Sequence, residues 1–387
     1  MDKILLFSEI FPPQVGGSGR WFWDIYSRLD ADSTIFAVGD DPEAQTFDQT
    51  HSHRCYRLNF DLPNWGIFSY SGLRAHWVLF LKLRALIKKN NITAIHCGRG
   101  LPEGLLGWLA SKWFGIPYLC YVHGEELPTY HSSREYKLLS QMVYKNARLL
   151  IVNSQNTRKS VIQYTGITDT IRVMHPGVDS HTFVPAEPDL SVREQLGWSG
   201  KRVVLTVGRL QKRKGHDHVI LSLKSIRQKI PNILYAIIGA GEERESLEKL
   251  VDSEGVREHV QFLGKIDDSR MLACYQQCDL FILANREVDG DFEGFGMVLV
   301  EAQACGKPVI AGNSGGTAET MIPDETGLVI DATQPENIAG AVVDLLDDPQ
   351  KHTRMGKKAV TWVRDNLDWG VLVKQAETIF AELSSGV

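Results

Sequence analysis

Two glutamates, Glu293 and Glu301, stand eight residues apart and flank the turn Gly294-Phe295-Gly296, which opens an apolar helix ending at Gly306 and Pro308. A helix entered through such a turn offers unpaired backbone N–H groups to an anion. Glu293 falls in the loop before the turn, and Glu301 lies roughly 7 to 8 Å along the helix axis from Gly296. The pair brackets a phosphate-sized site. An ionised glutamate accepts from two neighbouring hydroxyls at once, so the arrangement suits a ligand that is both phosphorylated and rich in hydroxyls.

Other loops carry matching chemistry. The run Val207-Gly208-Arg209-Leu210-Gln211-Lys212-Arg213-Lys214-Gly215 sets four cations directly after a strand-like segment. Arg209 as a fork and Lys214 as a point charge are placed to reach a diphosphate from both sides. A solvated basic loop is the alternative reading. Gly16-Gly17-Ser18-Gly19 either lets backbone approach a phosphate or substrate, or makes a plain tight turn. His123 ends an apolar strand beside Gly124, in a loop Tyr121-Val122-His123-Gly124-Glu125-Glu126 of the kind where functional residues gather. Asn313-Ser314-Gly315-Gly316-Thr317-Ala318-Glu319 either donates N–H groups to the same ligand or caps a helical turn. Gly239-Ala240-Gly241 follows a strand but lacks the third glycine of a dinucleotide fingerprint, with Arg at 244, so a nicotinamide site has little support. Asp289-Gly290-Asp291 reads as a hydrated turn or a contact to sugar hydroxyls at least as readily as a divalent-cation site, and no metal ligand is assigned.

The elements that must position these loops alternate. Strands are expected at Ile4 to Phe7, Thr34 to Val38, Ala94 to Cys97, Tyr118 to Val122 and Leu149 to Asn153, with helices including Trp21 to Leu29, Leu73 to Lys89 and Glu103 to Trp113. A polar, proline-bearing stretch with Pro185 and Pro188 follows, containing a short helix near Val192 to Leu196. The alternation then restarts with strands at Val203 to Val207, Ile233 to Ile238, Val260 to Leu263, Leu280 to Ala284, Val309 to Ala311 and Gly327 to Ile330. Helices are expected between them at His216 to Lys229, Glu242 to Glu254 and Asp268 to Gln277, with three more helical segments to the C-terminus. Strands alternating with helices imply parallel sheets covered on both faces. The expected architecture is therefore α/β, two Rossmann-like domains facing across a cleft, with ligands at the carboxyl ends of the strands.

Composition narrows the function classes. The 387 residues suffice for two domains, and 43% hydrophobic with 23% charged content is that of a globular protein. A net charge of -5 argues against a general nucleic-acid binder. Six cysteines are scattered, and Cys274 with Cys278 reads as one helix face, so a reduced, cytoplasmic setting is expected. The N-terminal apolar run is too short for a signal peptide, and the apolar region Leu105 to Val122 is broken by Lys112 and by Gly115 to Pro117. From Asn64 to Asn91, Trp65, Phe68, Tyr70, Trp77 and Phe80 are interleaved with Lys82, Arg84, Lys88 and Lys89. The preferred reading is an amphipathic helix packed on its sheet. The second is a helix lying on an anionic membrane.

In this order, from Gly16-Gly17 through the Arg209/Lys214 loop to Glu293 and Glu301, the residues resemble the retaining GT-B glycosyltransferases of family 4. The segment Glu301-Ala302-Gln303-Ala304-Cys305-Gly306-Lys307-Pro308-Val309-Ile310-Ala311-Gly312, followed by Ser314-Gly315-Gly316-Thr317-Ala318-Glu319-Thr320, resembles the bacterial phosphatidylinositol mannosyltransferase branch. The resemblance implies Arg209 and Lys214 for the donor diphosphate, Glu293 for the transferred hexose, Glu301 for the ribose and His123 beside the donor sugar. It further implies a base pocket at Gly264-Lys265-Ile266, donor contacts from Gly16 and Gly17, and more from Phe295, Gly296 and Met297. The implied domains are 1–180 for the acceptor, with 369–387 packing back on it, and 181–368 for the donor. Closure of the cleft around the donor is also implied. The expected reaction is a front-face displacement assisted by the leaving phosphate, with no cofactor and no metal. GDP-mannose is the first donor expected and a UDP-sugar the second, and the acceptor is a glycan or lipid-linked sugar. A non-catalytic nucleotide-sugar-binding protein is the competing class, and the expected location is cytoplasmic, with peripheral contact to the inner membrane face.

Overall fold

The computed structural model describes residues 3–14, 16–60, 62, 66–124, 126–127 and 133–384. Asn64, Trp65 and Glu125 lie outside the described residues. The chain divides into two compact units, Met1–Pro176 with Trp369–Val387, and Gly177–Asp368.

Among the described residues the first unit holds a seven-stranded sheet of β1 (Ile4–Ser8), β2 (Thr34–Gly39), β3 (Arg54–Leu58), β4 (Ala94–Cys97), β5 (Tyr118–Val122), β6 (Leu149–Val152) and β7 (Ile171–Val173). Their spatial order is β3-β2-β1-β4-β5-β6-β7, and every neighbouring pair is parallel. Both faces are buried, as parallel sheets require, which explains the unbroken apolar runs in the sequence. Leu5 and Phe7 of β1 pack with Ile35, Ile95 and Val122 on one face, while Leu6 packs with Phe36, Leu119 and Tyr121 on the other. The C-terminal helix Trp369–Ser384 covers that second face with Trp369, Leu372, Ala376, Ile379, Phe380 and Leu383, spaced for one helical stripe. Phe380 lies against His96 and Tyr26, with ring centroids 4.5 and 5.5 Å away.

The second unit repeats the plan with β8 (Arg202–Val207), β9 (Ile233–Ile238), β10 (Val260–Gly264), β11 (Leu280–Leu283), β12 (Val309–Gly312) and β13 (Gly327–Ile330), in the order β10-β9-β8-β11-β12-β13. Residues just after Pro176 attach to this unit: the Val178 N–H donates to the Leu367 carbonyl at 2.9 Å, and the Ser180 hydroxyl to Asp368 at 2.6 Å. In each sheet the order reverses beside its first strand, between β1 and β4 and between β8 and β11. Ligands of open parallel sheets bind outside the carboxyl ends of the strands at such a reversal.

Two helices differ from the sequence reading. The first helix runs Gly17–Tyr26, so Gly17, Ser18 and Gly19 form its first turn and not a free loop. Gly16 before it is extended, with φ 179°, a conformation open to any residue. The helix read as Leu73 to Lys89 runs Tyr70–Asn90, capped by the Ser69 hydroxyl, which accepts the Gly72 N–H at 3.0 Å. It packs Leu79, Phe80, Leu83 and Ile87 inward but also carries an exposed apolar stripe of Tyr70, Leu73, Trp77 and Leu81. Packing on the sheet thus accounts for only one of its two apolar faces.

Candidate active site

In the second unit the loop after β8 is held from beneath. The Gly208 N–H donates to the Ile238 carbonyl at 2.9 Å, and the Leu210 N–H to the Ala240 carbonyl at 3.1 Å. Gly239 has φ 139°, and a Cβ there would sit 1.9 Å from the Gly208 carbonyl oxygen. The Gly239-Ala240-Gly241 segment therefore supports the cation loop by close backbone approach. His216 adds a second support. Its Nε2–H donates to the Arg209 carbonyl at 3.1 Å, and its Nδ1 lies 3.0 Å from the Tyr235 hydroxyl. Burial pushes its pKa down to about 4, so the ring is neutral near pH 7. The Arg209 side chain itself is exposed and has no polar partner among the described residues.

The two other key cations converge on Glu293. Arg213 Nη1 donates to Glu293 Oε2 at 2.8 Å, and Lys214 Nζ donates to the same oxygen. Arg213 Nε is in turn 3.0 Å from the Asp291 carboxylate, which gives the Asp289-Gly290-Asp291 turn a task no motif announced. Burial would raise the Glu293 pKa, but Lys214 and Arg213 outweigh it and hold the carboxyl below its ordinary range. Its other oxygen, Oε1, has no partner among the described residues, leaving an acceptor open to ligand hydroxyls.

The backbone of Glu293 is fixed by the fourth glycine loop. The Gly316 N–H donates to the Glu293 carbonyl at 2.9 Å, and a Cβ on Gly315, at φ 64°, would fall 1.9 Å from that oxygen. Two salt-bridged side chains complete the frame: Arg286 grips Asp217 with both nitrogens at 2.8 and 2.7 Å, and its N–H donates to the Arg213 carbonyl at 2.8 Å. Phe295 is buried beside the turn, and the helix Met297–Ala304 begins after Gly296 with no side-chain cap on its N-terminus. Glu301 is its fifth residue and is 3% exposed; the Tyr275 hydroxyl donates to its Oε2 at 2.7 Å. Gly264, at the end of β10, accepts the Gly239 N–H at 2.8 Å, with Lys265 exposed and Ile266 half-buried beyond it.

In the first unit a cavity of about 730 Å³ opens where β1, β4 and β5 end. His123 lines it with its Nε2–H donated to the Gly98 carbonyl at 2.9 Å, which fixes the proton on Nε2. Its ring lies edge-on to Trp21 and Phe22, each 5.7 Å away between centroids, and the Asn153 amide donates to its carbonyl at 2.9 Å. Arg99, at the end of β4, lies 3.4 Å from Glu9 and 3.4 Å from Glu103. Burial raises the pKa of Glu103, with Arg99 opposing. Sequence reasoning passed over Arg99 and Glu103, although Cys97-Gly98-Arg99-Gly100 directly follows a strand at the sheet's reversal. Ser18, in the first turn of the Gly17–Tyr26 helix, also lines the cavity.

Two doubly wound sheets in tandem, each with polar residues gathered at the carboxyl ends beside the reversal, make up the GT-B fold. Residues 15–182 match the family described as Glycosyltransferase Family 4, and residues 190–362 match Glycosyl transferases group 1. The chain is 33% identical to a GDP-mannose-dependent alpha-(1-6)-phosphatidylinositol monomannoside mannosyltransferase of Mycolicibacterium smegmatis, over 99% of this chain and 98% of that one. It is 28% identical to a GDP-mannose-dependent monoacylated alpha-(1-6)-phosphatidylinositol monomannoside mannosyltransferase of Corynebacterium glutamicum, over 97% of each. The Anabaena protein HepE, solved in complex with UDP, superposes with a TM-score of 0.83 at 24% identity, over 98% of this chain and 100% of that one. The chain belongs to glycosyltransferase family 4 and is a hexosyltransferase. No helix among the described residues is long and apolar enough to cross a membrane.

Proposed function

We propose that the protein is a retaining mannosyltransferase that takes GDP-mannose and transfers the mannosyl group to a hydroxyl of a glycan or lipid-linked sugar. The observation that carries this reading is the convergence of Arg213 and Lys214 on one oxygen of Glu293 while the other oxygen stays open. GDP-mannose is chosen because relatives aligned along nearly the whole chain bear that donor in their names.

The donor diphosphate meets Arg209, which has no competing partner among the described residues, and draws Lys214 from Glu293. Arg213 remains on Glu293, so the carboxylate is never left buried without a cation. Oε1 of Glu293 accepts from hydroxyls of the hexose, and Glu301, oriented by Tyr275, accepts from the ribose. The uncapped helix N-terminus at Met297 and the backbone after Gly264 serve the diphosphate and the base. In the first unit, His123, with its Nε2 proton committed to Gly98, and Gly16 and Gly17 are the residues proposed to contact the sugar.

As the C1–O bond to the diphosphate breaks, its electron pair passes to the phosphate oxygen. The charge growing there is met by Arg209 and Lys214. The acceptor hydroxyl adds to C1 on the same face and its proton goes to the leaving phosphate oxygen, so configuration is kept. The protein's own cations do the work that a divalent ion would do on the diphosphate, and activity in EDTA is expected to match that without it.

The exposed stripe Tyr70, Leu73, Trp77 and Leu81, with Arg74, Lys82 and Lys88 exposed on the same helix, supports peripheral contact with an anionic membrane from the cytoplasmic side. The deciding experiment follows GDP-mannose and UDP-glucose turnover with a mannoside acceptor and assigns the anomer by NMR. An α-linked product from GDP-mannose alone is expected. An inverted product, or turnover of UDP-glucose only, refutes the reading. Flotation with anionic liposomes tests the membrane contact, and absence of protein from the floating fraction removes it.

A further inference from the structure

The charge of the first unit's cavity bears on what enters it. Among the described residues lining it, Arg99 is the one guanidinium, set against the carboxylates of Glu126 and Glu135. Arg99 is already compensated, lying 3.4 Å from both Glu9 and Glu103. A phosphate entering here would compete with two carboxylates for that cation and face two more. The carboxylates are built in and not adventitious. Glu135 Oε1 accepts the Ile67 and Phe68 N–H groups at 2.6 and 2.8 Å, and Glu126 Oε1 accepts the His123 N–H at 3.0 Å.

Apart from the His123 ring, whose Nε2–H is donated to the Gly98 carbonyl, the other polar side chains of the lining are hydroxyls, among them Ser8, Ser18 and Ser69, and Phe22 and Phe68 supply apolar faces. Carboxylates and serines accept from and donate to sugar hydroxyls, and aromatic faces cover the C–H side of a pyranose. Anion-handling side chains sit instead in the second unit, where Arg209 is unpartnered among the described residues.

We infer that the acceptor group held in this cavity is an uncharged polyol, a terminal sugar residue, and that phosphorylated polyols are discriminated against there by the Arg99–Glu9–Glu103 cluster with Glu126 and Glu135. The inference rests on the transferase reading and names its acceptor class.

The test compares matched probes with the full-length protein and saturating GDP-mannose: methyl α-mannoside against mannose 6-phosphate, and myo-inositol against inositol 1-phosphate. Neutral probes are expected to be used at least about tenfold better in kcat/KM, since juxtaposed like charges are costly at a recognition site. Glu135→Gln, which keeps an oxygen for the Ile67 and Phe68 N–H groups, and Glu126→Gln are each expected to narrow that ratio. Phosphorylated probes used as well or better, transfer to neither member of a pair, or a ratio unmoved in both variants overturns the inference. Slow hydrolysis of GDP-mannose without acceptor, measured alongside, reports on the transferase reading separately.

Discussion

Lys214 donates to the same carboxylate oxygen of Glu293 that Arg213 reaches at 2.8 Å, so two consecutive cations hold one buried acid. Burial alone would favour the protonated form; Lys214 first and Arg213 second reverse this. A carboxyl whose folded pKa is depressed contributes stability that is present above its unfolded pKa and lost as pH falls through the folded one. Arg213→Met leaves Lys214 alone against burial in the free enzyme and is expected to move the acid limb of kcat/KM upward. Steady-state rates between pH 4.5 and 7.5 read this shift, and an unmoved limb would show that Arg213 does not hold Glu293 ionised.

The two glutamates separate kinetically. On the proposed reading Glu293 turns its second oxygen to the hexose, so Glu293→Ala is expected to lower kcat by about 10²- to 10³-fold with KM little changed. Glu301, proposed for the ribose and so for a part of the donor away from the breaking bond, accepts the Tyr275 hydroxyl. Glu301→Ala is expected mainly to raise KM for the donor, and Tyr275→Phe to do the same more weakly. Wild-type kinetics in both glutamate variants would remove the assignment.

Gly315 tests whether Glu293 is placed by its neighbour loop. At φ 64°, with its would-be Cβ 1.9 Å from the Glu293 carbonyl oxygen, alanine there must displace one loop or the other. Strain of about 1–3 kcal/mol is expected in Gly315→Ala, seen as a lower melting temperature. A fall in kcat exceeding the change in donor KM is expected with it, because the displaced group is the Glu293 backbone. A variant with unchanged kcat would mean that the carboxylate finds its place without this contact.

Much of this architecture is legible in the chain because the strands are buried on both faces. Ile233–Ile238 and the helices His216–Lys229 and Asp268–Gln277 fall where the apolar runs and cap residues place them. The edge strands of the first sheet were silent, since β3 is Arg54-Cys55-Tyr56-Arg57-Leu58, largely half-exposed, and β7 has three residues, whereas the second sheet's edges β10 and β13 were read from their apolar runs. Strand-end position singles out His123, Arg209 and Lys214, and the spacing of two carboxylates around a glycine turn singles out Glu293 with Glu301. What the sequence could not show is contact between distant loops. Gly239 beneath Gly208, Gly315 against Glu293 and Asp291 beside Arg213 are tertiary relationships, and a glycine's one-dimensional context does not say which backbone it must admit. The exposed stripe on Tyr70–Asn90 stands only as the second reading of the sequence for a related reason: two apolar faces on one helix blur the single periodicity that marks burial.

Two histidines buried as neutral rings set the acid response of the fold. Burial pushes His216 down to about 4 and His96 to about 3, against roughly 6.5 when unfolded. Between these values the unfolded chain binds the proton and the folded one does not, so stability rises with pH across the window and levels off above about 6.5. Acidification from pH 7 therefore costs stability progressively, to pH 4 for His216 and pH 3 for His96, on the order of 3 kcal/mol for the first and 5 kcal/mol for the second when complete. His216→Gln keeps a donor for the Arg209 carbonyl but does not titrate. It is expected to melt lower than the wild type at pH 7, because Tyr235 loses its ring partner, yet to lose less between pH 6.5 and 4. Melting temperatures at half-unit steps decide the matter. Parallel curves for variant and wild type would show that the His216 ring is not held neutral, and with it the rigid seat of Arg209 would be lost.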